Sequence, residues 1–319
     1  MPRRLAVLMD PIQKLKIHKD STFAMLLEAQ RRGHEIHVLE QRDLGLRNGR
    51  AWLRTRQTRV KDDPHGWYEQ GEPWIHDAGE FDWILMRKDP PFDSEYLYDT
   101  QILERAEAQG ALVVNRPAAL RDANEKLFTA LFPQCCPPTL VSRLPADLRG
   151  FVEEHGPSVA KVLDSMGGTS IFRVNLDDPN LNVIFETVTQ DGTRAALIQR
   201  YIPEIVDGDK RILMIDGEPV PYALARIPRA GEFRGNLAKG GSGRGQPLSE
   251  RDRWICGEVG PELKRRGLLF VGLDVIGDYL TEVNVTSPTG VQEIAALDGV
   301  HIERTMIDWV ERHAVDLDR

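Results

Sequence analysis

Asp274, Glu282 and Asn284 put two carboxylates and an amide oxygen on short apolar runs, the kind of side-chain set that holds a hard cation such as magnesium. They lie in LLFVGLDVIGDYLTEVNVTSPTG, Leu268 to Gly290, the stretch the rest of the chain is organised around. Val271, Leu273, Val275 and Ile276, then Leu280, Val283 and Val285, form two apolar runs broken by Gly277-Asp278, a pattern that predicts a β-hairpin. Glu282 and Asn284 are two positions apart and share a face.

Whether Asp274 joins them depends on the turn. A two-residue loop at Gly277-Asp278 pairs Ile276 with Tyr279 and leaves Asp274 on the face away from Glu282. A three-residue loop, Gly277 to Tyr279 with a bulge, pairs Ile276 with Leu280 and brings Asp274 directly across from Glu282. The odd-length loop is the expectation here, and an edge hairpin with solvated carboxylates is the plain alternative.

Upstream, cations and glycines recur beside strands. LRDANEKLFTALF predicts a helix carrying Lys126. Val159 to Leu163 is a strand with Lys161 in its middle, and Gly167-Gly168-Thr169 then turns into a second strand, Ile171 to Val174. A glycine pair lets backbone N–H groups fold over an anion, but the turn has neither the spacing of a P-loop nor that of a dinucleotide fingerprint. Ala196 to Tyr201 runs into Ile202-Pro203, a hinge whose backbone groups suit a flat edge such as adenine; a core strand is the alternative. Strands Ile212 to Ile215 and Pro219 to Ala225 follow, joined at Asp216-Gly217. Pro228 to Pro247 holds six glycines with Arg229, Arg234, Lys239 and Arg244. A loop this long between elements of one sheet suits a lid better than a linker. Trp254 to Arg266 is an amphipathic helix with Ile255, Val259 and Leu263 inward, and His301 to Val310 a closing helix.

The first third predicts a small doubly wound sheet. Leu5 to Met9, Ile36 to Leu39, Phe81 to Met86 and Ala111 to Val114 are apolar strands alternating with helices, the first capped by Asp20 or Ser21. Residues 43 to 80 form a meander of strands and loop. Asp10, Arg87, Lys88 and Asp89 follow strand ends and so belong to the crevice where open α/β sheets bind ligands.

A net charge of −8 over 319 residues leaves no basic footprint for nucleic acid. Three cysteines, two of them adjacent, make neither a disulfide framework nor a metal spacing, which fits a reducing cytoplasm. No run approaches a membrane span of ~20 residues, and MPRRLAVLMDP is too short for a secretory signal.

Lys126, Lys161 with the Gly167-Gly168 turn, Arg211, Asp274 and the Glu282-Val283-Asn284 run together resemble the ATP-grasp ligases, and within them the bacterial glutathione synthetase family. The resemblance is nearly full length: MDPI at 9–12, KDSTFAMLLEAQRRGHE at 19–35, ILMRKDPPFD at 84–93, VNRPAALRDANEKLF at 114–128, DGDKRIL at 207–213, RGNLAKGG at 234–241 and NVTSPTG at 284–290. It is weakest in 43–80 and after 292. It implies an α/β fold with an N-terminal substrate-side domain at 1–122, a small ATP-grasp subdomain at 123–200, and a central subdomain at 201–319 with a flexible loop at 228–245.

The implied reaction joins γ-glutamylcysteine to glycine, using ATP, through an acyl phosphate. By the same resemblance Lys126, Lys161, Gly167, Gly168, Gln199, Tyr201, Ile202 and Asp209 bind the nucleotide. Asp274, Glu282 and Asn284 hold magnesium, or manganese in its place. Arg211, Arg226 and Arg234 serve the reaction, and Arg226, Arg234, Ser287 and Thr289 the substrate carboxylates. A homo-oligomer, a tetramer in the family, is also implied. Two rivals stand beside this reading: another carboxylate–amine ligase, such as a D-alanine ligase or a glutamate-adding enzyme, and a non-catalytic ATP-binding module. The MDPI and KDPPFD stretches argue against the first, and the complete lysine and metal set against the second.

Overall fold

Leu5 to Met9 are buried on both sides, as the centre of a sheet covered by helices requires. The computed structural model describes residues 2–164, 169–229, 235 and 241–314. The first layer runs β1 (Arg4–Met9), α1 (Ser21–Arg31), β2 (Glu35–Leu39), β3 (Leu44–Arg47), β4 (Arg50–Val60), β5 (Tyr68–Asp77), β6 (Trp83–Arg87), α2 (Ser94–Ala108), β7 (Leu112–Val114) and α3 (Pro117–Asp122). Strands β2, β1, β6 and β7 are parallel neighbours. The expected meander is β3 to β5, antiparallel strands extending the sheet beyond β2. Asp20 caps α1, its side chain accepting from Phe23 N at 2.7 Å.

The helix expected to carry Lys126 does not form. α3 stops at Asp122, and Lys126 stands just before a 3-10 turn at Leu127–Leu131. Asn124 provides the reason: its Oδ1 accepts from the N–H groups of Lys126 and Leu127 at 3.1 and 3.0 Å, a local side-chain bond that competes with the helix.

The second layer is β8 (Thr139–Ser142), α4 (Pro145–His155), β9 (Ser158–Val162), β10 (Ile171–Val174), α5 (Leu181–Thr189) and β11 (Ala196–Arg200). Its antiparallel sheet has the order β10-β9-β11-β8. Leu148, Phe151, Val152, Phe185 and Val188 from the two helices meet Ala160, Val162 and Ile198 in a core of their own.

The third layer comprises β12 (Asp209–Ile215), β13 (Glu218–Ile227), β14 (Ser242–Pro247), α6 (Glu250–Arg266), β15 (Phe270–Ile276), β16 (Tyr279–Asn284), α7 (Val291–Asp298) and α8 (Ile302–Ala314), with strand order β14-β13-β12-β15-β16. The end of the expected 228–245 loop is therefore strand: Ser242 to Pro247 pair with Tyr222 to Ile227. One face of this sheet, with Ile212, Met214, Val271, Leu273, Val275, Leu280 and Val283, packs on Ile255, Val259 and Leu263 of α6. Each such side chain contributes on the order of 1.5–3 kcal/mol by leaving water.

The first and third layers are joined directly. Asn115, after β7, donates from Nδ2 to Phe270 O and Val285 O and accepts at Oδ1 from Phe270 N, each at 2.8 Å.

Candidate active site

Along β12 and β15 side chains alternate, so the apolar face against α6 leaves Asp209, Arg211 and Asp274 on the other. Arg211 pairs in register with Asp274, Asp274 with Glu282, and Asp209 with Arg226 of β13. These side chains floor a cavity of 690 Å³.

The hairpin loop has two residues, not the expected three: Ile276 pairs with Tyr279, with Gly277 at a φ of +54°. Asp274 nonetheless faces Glu282, because the register shifts between Asp274 and Val275 and Thr281 becomes the extra residue. A trace of this lay in the sequence. Leu280 and Val283 are an odd number apart, yet both lie in the same core cluster, which a regular strand does not allow.

Asp274 is gripped on both oxygens. Arg211 Nε reaches Oδ1 at 2.6 Å and Nη2 reaches Oδ2 at 3.1 Å, while Arg226 Nη2 approaches Oδ1 at 2.9 Å. Burial alone would raise this carboxyl; the two guanidiniums overrule it and hold Asp274 far below the usual carboxylate range. Arg226 also bonds Asp209 Oδ2 at 2.5 Å. Asp209 is pushed up to about 6 by burial, against the pull of Arg226, and its Oδ1 has no partner among the described residues.

Lys126 Nζ, from the segment after α3, and Lys161 Nζ, from β9 of the second layer, converge on Glu282 Oε1 at 3.9 and 3.8 Å. Burial lowers Lys161, and Glu282 partly restores it. Asn284 spends its Nδ2 on Gly272 O at 3.1 Å, which leaves Oδ1 turned to acceptor duty. Among the described residues no three His, Cys, Asp or Glu side chains gather for a metal, so a cation here would draw on the Asn284 amide oxygen as well as Asp274 and Glu282. Asp274 Oδ1 is already taken by two guanidiniums, but Asp274 Oδ2 and the Glu282 oxygens retain lone pairs, and the all-oxygen set fits magnesium.

The cavity roof comes from β9, β10 and the end of β11: Val159, Lys161, Ile171, Gln199, Tyr201 and Ile202 line it. Gln199 donates to Thr139 Oγ1 at 3.1 Å, and Tyr201 N is already engaged with Pro157 O at 2.9 Å. Ser287 and Thr289 line the cavity where the third layer meets the first, and Thr289 O lies 3.4 Å from Arg211 Nη1.

Of the charges expected at the first sheet's crevice, Asp10 and Asp89 line the cavity. Arg87 does not: it is buried, donating to Thr22 Oγ1 and Pro288 O at 3.0 Å each. Lys88 turns onto Asp10 at 3.1 Å. Gly167, Gly168 and Arg234 lie outside the described residues, as does most of 228–241. Gly235 is described, lines the cavity and packs against Arg226 and Asp209. Lys14, Lys16, Lys19 and Glu125 also line it, unmarked by the strand pattern. Glu125 was hidden by the helix expectation, although its place beside Lys126 was a signal. Burial first, then the charge of Glu282, raises the Glu125 carboxyl.

A model of the prokaryotic glutathione synthetase ATP-grasp domain matches residues 125–299, and one of the prokaryotic glutathione synthetase N-terminal domain matches residues 4–121. The chain is 59% identical over 307 residues to the glutathione synthetase of Xanthomonas campestris, covering 96% of this chain and 97% of that one. It is 56% identical over 309 residues to that of Vibrio parahaemolyticus, covering 97% and 98%. Among solved structures, the D-cycloserine synthetase DcsG superposes with a TM-score of 0.66 at 15% identity, covering 98% of this chain and 99% of that one. The ATP-grasp ligase PsnB, complexed with a minimal precursor, Mg and ADP, gives 0.62 at 15% identity, covering 98% of both chains. At such identities the likeness is one of fold.

Proposed function

The chain belongs to the prokaryotic glutathione synthetase family and is an ATP-dependent ligase with that activity; on that premise we propose how its cavity joins γ-glutamylcysteine to glycine. The observation that carries the reading is the row Arg211, Asp274, Glu282 on neighbouring strands, met at Glu282 by Lys161 from the opposite sheet and by Lys126 from the segment before the 3-10 turn. The cavity volume falls within the ~300–1,000 Å³ of ligand clefts.

A carboxylate is a poor electrophile, so the cysteinyl carboxylate oxygen attacks the γ-phosphorus of ATP while the bond to the bridging oxygen breaks and ADP leaves. The glycine amine then attacks the acyl carbon, the acyl C–O bond to the phosphoryl group breaks, and phosphate departs as the nitrogen gives up a proton to leave the amide. The protein's part is alignment and charge neutralisation, and no side-chain nucleophile is required.

Lys126 and Lys161 take the phosphates as point charges, and Arg211, its direction fixed by Asp274, offers its remaining N–H groups to the transferring phosphoryl group. Gln199, Tyr201 and Ile202 frame the base, with Gly167 and Gly168 over the phosphates. Asp209 serves the nucleotide and is shared with Arg226. Arg226, Arg234, Ser287 and Thr289 receive the carboxylates of the two amino substrates. Asp274, Glu282 and Asn284 would hold magnesium, or manganese in its place; bound there, the ion supplies positive charge to the triphosphate.

Cys135, Cys136 and Cys256 are free thiols and no helix among the described residues is long and apolar enough to cross a membrane. The first fits a cytoplasmic location, which belongs to this proposal together with a homotetrameric assembly drawn from family resemblance. Phosphate release from ATP, measured with γ-glutamylcysteine and glycine each omitted in turn, tests the reaction. Release strictly requiring both is the expected result; release supported by D-alanine instead, or none at all, sinks it.

A further inference from the structure

Glu125 stands where the helix expectation failed, in the segment between the first two layers, and its bonds go to the third layer on both sides of Asn284. Its Oε1 accepts from Val285 N at 3.1 Å, Thr286 N at 3.3 Å and Thr286 Oγ1 at 2.9 Å. Its backbone oxygen accepts from Val283 N at 2.9 Å. The strand bearing Glu282 and Asn284 is thereby anchored on both sides of Asn284 to one residue. On either side of Glu125, Asn124 Nδ2 donates to Leu163 O at 3.1 Å, at the end of the strand carrying Lys161, and Lys126 faces Glu282 at 3.9 Å. Asn115, after β7, donates to Val285 O at 2.8 Å, so both backbone polar groups of Val285 are held by side chains, one from the first layer and one from the segment that follows it.

We propose that Glu125 is a positioning residue that sets the placement of Glu282 and Asn284 relative to Lys126 and Lys161. It accepts no bond from a substrate in this scheme; it acts through the residues it holds. Where a metal-ligating side chain is fixed by outer hydrogen bonds, losing one costs about 10–100-fold in metal affinity. A single oxygen receives all three side-chain bonds, so Glu125→Gln can keep them, and Glu125→Ala cannot. Thr286→Val removes the hydroxyl bond alone.

The inference rests on the assignment of Glu282 and Asn284 to a cation, and calorimetry of ADP binding with and without magnesium separates the two. Each variant is first checked for native circular dichroism. In the unaltered protein magnesium tightens ADP binding. In Glu125→Ala that tightening falls by about 10–100-fold while magnesium-free ADP binding stays as it was, and Glu125→Gln restores it. Glu125→Ala that keeps the tightening, with or without a lowered melting temperature, overturns the role, as does Glu125→Gln as damaged as Glu125→Ala. Should Glu125→Ala not fold, Thr286→Val decides: weakened tightening supports the role and unchanged tightening overturns it. Absence of tightening in the unaltered protein removes the cation assignment itself and this inference with it.

Discussion

Arg211 holds Asp274 by both ends of its guanidinium, Nε on Oδ1 at 2.6 Å and Nη2 on Oδ2 at 3.1 Å, across directly paired positions of β12 and β15. Both residues are nearly buried. A two-point grip of this kind fixes direction as well as charge.

Arg211→Lys keeps the charge and loses the fork. Turnover is expected to fall on the order of 10²–10³-fold, as for loss of one aligned donor at a reacting centre, with little change in KM for ATP. Steady-state kinetics measure the split. A variant within a few-fold of the parent would mean that only the charge of Arg211 is used.

Glu282→Gln removes the anion faced by Lys126 and Lys161 with little change of shape. It is expected to lose at least about a hundredfold in turnover while keeping the native circular dichroism spectrum. Retained activity would take Glu282 out of the proposed cation site.

Asp99 on α2 is buried, and its Oδ2 has no partner among the described residues. Burial pushes its carboxyl from the ordinary 3.8 up to about 6. The folded state thus holds this proton more tightly than the unfolded state. Its contribution to stability is full below about pH 4 and is lost as pH rises through about 6, at most about 3 kcal/mol for two pKa units. Asp99→Asn should abolish that contribution to the slope, gaining on the parent between about pH 4 and pH 6 in denaturant melts. Parallel pH profiles for the two proteins would count against it.

Gly235 has no room for a side chain: a Cβ would stand 2.4 Å from Arg226 O and 3.0 Å from Asp209 Cβ. Gly235→Ala is expected to push the segment off the Asp209–Arg226 pair and to cost up to about a hundredfold in ligation, as small misplacements at a reacting centre do. ADP binding, followed by calorimetry, should change far less. Equal ligation rates would show that this close approach is not needed in turnover.

Much of the molecule was legible from local pattern. Period-2 and continuous apolar runs located β1, β6, β12, β15 and β16; residue chemistry picked out Asp274, Glu282 and Asn284, and the family resemblance Lys126, Lys161 and Arg211, all of which line one cavity. Those features depend on neighbours in sequence: a strand's faces follow from alternation, and a carboxylate's chemistry from its type. Helix content around Lys126 was misread because Asn124 hydrogen-bonds the backbone there, a competition that helix periodicity does not register.

What tertiary structure alone decided were relations between residues far apart in the chain. The even turn at Gly277-Asp278 should have separated Asp274 from Glu282, and the bulge at Thr281 reunited them by letting Leu280 and Val283 share one core. Asp274 acquired two arginines from β12 and β13, Asp209 took Arg226 as a partner, and Arg87 turned inward to Thr22 and Pro288. Side-chain type sets which bonds a residue can make. Which it does make is set by the packing of three sheets, because a buried charge takes the partner within reach in the folded chain.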